Sequence, residues 1–73
     1  MIRITHIQHA GPALADLRHA RRVSQLTIAA QAGFDRAQIC NWEKGRKVPH
    51  LGTLIRLADA LGCDVALIPR EDA

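Results

Sequence analysis

Aromatic residues are nearly missing from this chain: there is no tyrosine, one phenylalanine (Phe34) and one tryptophan (Trp42). Any core must therefore be aliphatic. The two cysteines, Cys40 and Cys63, stand 23 positions apart with no C-x-x-C spacing. That excludes a paired-cysteine zinc or redox motif and predicts two reduced thiols. The four histidines, His6, His9, His19 and His50, lack the His-x-x-x-His interval that would put two ligands on one helical face, and no glycine-rich phosphate loop occurs. No metal and no cofactor is expected. There is neither the apolar run of a signal peptide nor a stretch of 18 apolar residues, so the chain is read as a soluble, cytoplasmic protein without a membrane partner. No acid, base and nucleophile are assembled by spacing, which argues against an enzyme and against a small-molecule substrate.

What is present fits a small globular unit. The composition is 48% hydrophobic and 23% charged, outside the disordered range. A chain of 73 residues buries only about 60% of its unfolded surface, which allows one domain spanning 1–73. A core of this size supplies roughly 3–5 kcal/mol. With no disulfide framework or metal to help, dimerisation is the expected reinforcement. Ten Lys and Arg against seven Asp and Glu leave +3 with the histidines neutral, which suggests an anionic partner if the cations are gathered in one place.

Punctuation divides the chain into an extended start, four helical segments and a short extended end. Residues 2–7 alternate Ile2, Ile4 and His6 against Arg3, Thr5 and Ile7, the pattern of a short strand. Gly11-Pro12 starts a helix, since proline is tolerated where its missing N–H would be unpaired anyway; Leu14 and Leu17 mark its apolar side. Ser24 is suited to cap a second helix that runs to Ala32 and stops at Gly33. Leu26, Ile28, Ala29, Ala30 and Ala32 are nearly continuous, so periodicity alone does not choose its buried face. Asp35 caps a third helix, with Gln38 completing a capping-box pattern, and Gly45 closes it. At 100° per residue Ile39 and Trp42 share one side with Glu43 beside them, opposite Ala37, Cys40, Asn41 and Lys44. A fourth helix from Leu51 carries Leu51, Leu54, Ile55, Ala58 and Leu61 on one stripe and stops at Gly62. Residues 65–68, Val-Ala-Leu-Ile before Pro69, have the character of a second short strand.

Two short helices joined by Gly33-Phe34-Asp35 make a helix-turn-helix, whose second helix offers a polar outer face. The major groove of B-DNA admits one helix and presents donors and acceptors that distinguish all four base pairs. Arg36, Gln38 and Asn41 suit those edges: arginine forks onto guanine, and an amide pairs bidentately with adenine. Ala37 is placed to meet a thymine methyl. Lys44-Gly45-Arg46-Lys47 follows at once, a basic turn able to lie on phosphates. Arg3, Arg18, Arg21, Arg22, Arg56 and Arg70 are read as solvated or structural.

The series Leu17-Arg18, Ser24-Gln25, Ala29, Ala32-Gly33, Ile39, Trp42-Glu43, Gly45, Pro49, Leu54, Leu57-Ala58 and Leu61-Gly62 resembles the Cro and lambda-repressor family of helix-turn-helix domains in order and spacing. The resemblance spans Leu14 to Gly62. It implies a mainly α, four-to-five-helix lambda-repressor-like bundle with core 14–62 that binds double-stranded DNA as a symmetric homodimer, with Asp35 to Lys44 as recognition helix. By the same match Gln25 contacts phosphate and braces that helix, and Arg18 and Glu43 form an internal ion pair. The alignment selects Ile28, Ala29 and Ala32 as the buried face of the second helix, leaving Leu26 outward. Three positions depart from the family pattern. Arg22 stands where glycine is usual, so a left-handed backbone there would be costly. His50 replaces a Ser or Thr cap, and Leu26-Thr27 replace acidic residues.

The strands at 2–7 and 65–68 need partners. Pairing between chains is favoured over an intramolecular flap, which would make Ile2, Ile4, Val65, Leu67 and Ile68 a dimer interface. The expected function is a phage or bacterial transcriptional regulator, a repressor or Cro-like protein, on a palindromic operator in the nucleoid. The alternative is an antitoxin that binds its operator and also neutralises a protein toxin, using Leu26 or the chain ends as the toxin-binding surface.

Overall fold

A computed structural model describes residues 1–71. After a 3-10 turn at Ile7–His9 come four helices: α1 (Ala10–Ala20), α2 (Gln25–Ala32), α3 (Arg36–Glu43) and α4 (Leu51–Ala60). Helices α1 and α2 each pack on both α3 and α4.

The helices start where the local chemistry provides acceptors. The Ser24 hydroxyl takes the Thr27 N–H at 3.0 Å, which satisfies one of the orphan donors at the head of α2. Asp35 and Gln38 form a reciprocal capping box on α3, in which Gln38 Oε1 accepts the Asp35 N–H at 2.9 Å. His50, despite its residue type, caps α4 by accepting the Thr53 N–H at 3.4 Å. Helix α1 begins at Ala10, ahead of the Gly11-Pro12 signal.

Left-handed residues end the helices. Gly33, Gly45 and Gly62 do so at no steric cost, whereas Arg22 does so with φ 57°. Its amide donates to His19 O at 3.0 Å and that of Val23 to Arg18 O at 3.2 Å. These are the two bonds of a Schellman motif, kept at a cost of about 1 kcal/mol for an L-residue.

The core is aliphatic: Leu14, Ile28, Ala29, Ala32, Ile39, Leu57 and Leu61 are buried, with Leu17, Val23, Phe34, Trp42 and Leu54 packed around them. Full burial of Ile39 or Leu57 is worth ~1.5–3 kcal/mol each. Phe34 and Trp42 meet edge to face at 5.0 Å, an arrangement their quadrupoles favour. Arg56 of α4 lies 4.5 Å above the Phe34 ring and donates to the Ala32 carbonyl. It thereby binds the end of α2 and the following turn to α4.

Two expectations need correction. Among the described residues there is no strand: the segments holding Ile2, Ile4, Val65, Leu67 and Ile68 lack regular structure, and Ile7 belongs to the 3-10 turn. Alternating or continuous apolar residues define a strand only when a second backbone supplies the ladder, and within one chain neither segment finds it. The stripe on α4 is also rotated. Thr53, Leu57, Ala58 and Leu61 face the core, whereas Leu51 is 63% and Ile55 47% exposed. Apolar residues wrap most of this helix, so periodicity admits more than one face. The buried Thr53 hydroxyl is accommodated 3.3 Å from His50 Nε2.

Helix α1 closely approaches the end of α3. Gly11 is buried, and a Cβ built on it would lie 1.6 Å from the Trp42 carbonyl oxygen. The clash is with backbone, which cannot swing aside. Gly11→Ala is expected to lower unfolding free energy by ~3 kcal/mol, measured by urea denaturation; a loss below ~1 kcal/mol would show that α1 and α3 can separate freely.

Candidate nucleic-acid interface

Helix α3 has one buried residue, Ile39. Trp42 and Glu43 are half-buried beside it, which turns Arg36, Ala37 and Gln38 outward into solvent; Cys40 and Asn41 are half-buried at the border. The four side chains singled out for base contact thus lie on one short helix. Gln38 serves the cap through Oε1, and its Nε2 is a donor on the outward side.

The basic turn is folded back onto this helix. The Arg46 and Lys47 amides both donate to the Asn41 carbonyl, at 2.9 and 3.4 Å, while the side chains of Lys44, Arg46 and Lys47 remain exposed. Three cations are therefore fixed at the C-terminal end of α3.

Beneath that end lies an ion pair. Arg18 meets Glu43 in a two-bond fork, Nε to Oε2 at 2.7 Å and Nη2 to Oε1 at 2.8 Å. The two side chains are 10% and 9% exposed. Arg18 Nη1 also donates to the Val23 carbonyl at 2.9 Å, and Nη2 lies 3.1 Å from His19 Nε2, which must accept because guanidinium nitrogens only donate. Gln25 Nε2 donates to Glu43 Oε1 at 3.0 Å. Gln25 is thus drawn onto the ion pair, which braces α2 against α3.

Burial pushes the Glu43 carboxyl up, but the hydrogen bonds from Arg18 and Gln25 and the arginine charge outweigh it and hold the group below the usual carboxylate value. The hydrogen bond to Glu43 raises Arg18 against the opposing effect of burial.

Leu26 is 68% exposed on α2. The roles of Arg56 on Phe34, Gly11 under Trp42 and His19 beside Arg18 were not legible in the sequence. An aromatic in the α2–α3 turn, needing a cover, is the one available hint for Arg56. Among the described residues no three His, Cys, Asp or Glu side chains are grouped to hold a metal, and no helix is long and apolar enough to cross a membrane.

A capped eight-residue helix with a polar outer face, held across a second helix and flanked by a cationic turn, defines a class of module that presents one helix to a polyanion. A family model for a helix-turn-helix domain matches residues 9–70. The chain is also 31% identical over 64 residues to an uncharacterized HTH-type transcriptional regulator, y4dL, of Sinorhizobium fredii (strain NBRC 101917 / NGR234), an alignment covering 88% of this chain and 33% of that protein. The chain spans about a third of the length of the curated relative it matches. It belongs to the helix-turn-helix family of DNA-binding domains.

The sign of the Glu43 shift sets a pH dependence. A carboxyl depressed in the folded state contributes stability that is fully present above its unfolded pKa, ~4.3, and is lost as pH falls through the folded value. The melting temperature should drop between pH 5 and pH 3. Glu43→Gln should be less stable by ~3 kcal/mol at neutral pH and show a shallower decline over that interval; parallel wild-type and variant curves would assign the acid sensitivity elsewhere.

Proposed function

We propose that the chain is a sequence-specific transcriptional regulator of the Cro and lambda-repressor kind, a repressor in the cytoplasm that occupies a palindromic operator on double-stranded DNA as a homodimer. One observation carries this reading. Arg36, Ala37, Gln38 and Asn41 share an α3 whose inner side is anchored by Ile39, and the basic turn is hydrogen-bonded to the same helix at Asn41. Side chains that discriminate base edges are thereby kept in register with cations that grip phosphates. The name of the Sinorhizobium relative, an HTH-type transcriptional regulator, points the same way.

In this reading α3 enters the major groove and Lys44, Arg46 and Lys47 lie on the backbone. The second amide hydrogen of Gln25 reaches a phosphate. Two copies place their recognition helices about one helical turn apart, ~34 Å. The two-fold contact is made by apolar residues of the chain ends. Ile2, Ile4, Val65 and Ile68 are 40–44% exposed and Leu67 fully so, a solvent-facing set that a second copy would cover.

Selection of an operator from a random duplex pool by the wild-type chain, followed by gel-shift titration, tests base reading. Asn41→Ala should lose ~1–3 kcal/mol on the operator with little change on mixed-sequence DNA, whereas Lys47→Ala should weaken both and flatten the salt dependence. Equal losses for Asn41→Ala on the two duplexes would exclude base readout. In sedimentation equilibrium, Leu67→Glu should weaken self-association about tenfold or more, since a charge then enters an apolar contact; an unaltered mass distribution would remove Leu67 from the interface.

A further inference from the structure

The acidic residues of the chain fall at positions 16, 35, 43, 59, 64, 71 and 72. Two windows, 17–34 and 44–58, contain none, and between them they hold seven of the ten cations: Arg18, Arg21, Arg22, Lys44, Arg46, Lys47 and Arg56. The fold brings the turns of these windows together. Arg18 donates to Val23 in the α1–α2 turn and to Glu43 at the end of α3, and Gln25, just past that turn, holds the same carboxylate. Lys44 follows Glu43 directly. The α1–α2 turn and the basic turn after α3 are therefore neighbours, and the one carboxylate between them is engaged by Arg18.

Arg22 sits in the α1–α2 turn, exposed, and the sole salt bridge among the described residues is that of Arg18 with Glu43. Arg21, by contrast, reaches Cys63 Sγ at 3.5 Å. Arg22 occupies a left-handed position that glycine would fill without strain. Among the described residues no hydrogen bond or salt bridge of the Arg22 guanidinium supports the fold, while beside Lys44, Arg46 and Lys47 it adds a fourth charge to the cationic end of the interface.

We infer that Arg22 is a further phosphate contact, which extends the cationic end of the DNA interface from the α3–α4 turn across to the α1–α2 turn. The inference rests on the DNA-binding reading above, with the backbone of duplex DNA as ligand.

The test compares wild type, Arg22→Gly and Arg22→Lys on the selected operator and on a mixed-sequence duplex over a salt series. Arg22→Gly should melt ~4 °C higher or more, yet bind both duplexes about fivefold more weakly, with the slope of log affinity against log salt reduced by ~0.9, the contribution of one phosphate. Arg22→Lys should keep the wild-type slope. Gain of stability together with loss of affinity is a combination that a merely structural residue does not produce. Arg22→Gly binding with wild-type affinity and slope would overturn the contact alone, and a loss confined to the operator would make Arg22 a base reader instead. A wild-type chain that shifts no duplex at low salt would overturn the DNA reading and this inference with it.

Discussion

A guanidinium and a carboxylate withdrawn from water sit where α1, the α1–α2 turn, α2 and α3 converge. Removing two charges from solvent is costly, and the attraction between them offsets that cost only when the geometry is good and the remaining hydrogen-bonding positions are filled. Arg18 and Glu43 meet both conditions: the fork is two-bonded, the third guanidinium nitrogen is held by Val23, and Gln25 gives the carboxylate a further donor. Apolar contacts resist separation but permit sliding and rotation. A forked ion pair fixes direction, and this one fixes it at the end of the helix that carries the candidate base-reading residues.

The rest of the core is consistent with few large side chains. Where aromatics are scarce, helices approach closely, and small residues make that possible: Gly11 under the Trp42 carbonyl, Ala29 and Ala32 in the buried face of α2. The two aromatics that exist meet edge to face, and Phe34, in the α2–α3 turn, is covered by Arg56 from α4. The connection between the two helices of the motif is thereby braced by a helix distant in sequence.

Local signals were legible because each is a short-range hydrogen bond. The Ser24 cap, the Asp35–Gln38 box and the Gly33 stop depend on residues within four positions of one another, and the structure contains all three. The buried face of α2 was not decided by periodicity, since its apolar residues are nearly continuous; alignment to a family supplied Ile28, Ala29 and Ala32. The α4 face was misjudged for a related reason: Leu51 and Ile55 satisfy the helical period as well as Leu57 does, and the choice is made by what α1 and α2 present. Alternation at 2–7 and the continuous apolar run at 65–68 both have the pattern of a strand, although a ladder needs a partner backbone. The polar outer face of α3 and the basic turn were legible as candidates, because residue type carries them. Gly11 and Arg56 were not, because both act on atoms more than 20 positions away, and nothing in the local sequence marks them.

The division of labour on α3 has a consequence for how such a chain can change. The residues that anchor this helix are Ile39, Trp42 and Glu43, held by Leu57, Phe34, Gly11 and Arg18; those on the outer side are Arg36, Ala37 and Gln38, with Asn41 half-buried at the border. The two sets share no member within eight residues. Apart from the capping contribution of Gln38, the outward set can be rewritten without touching the contacts that seat the helix. The scaffold is therefore a mount whose outer surface is interchangeable, and new outer surfaces can arise by substitutions that leave the mount in place.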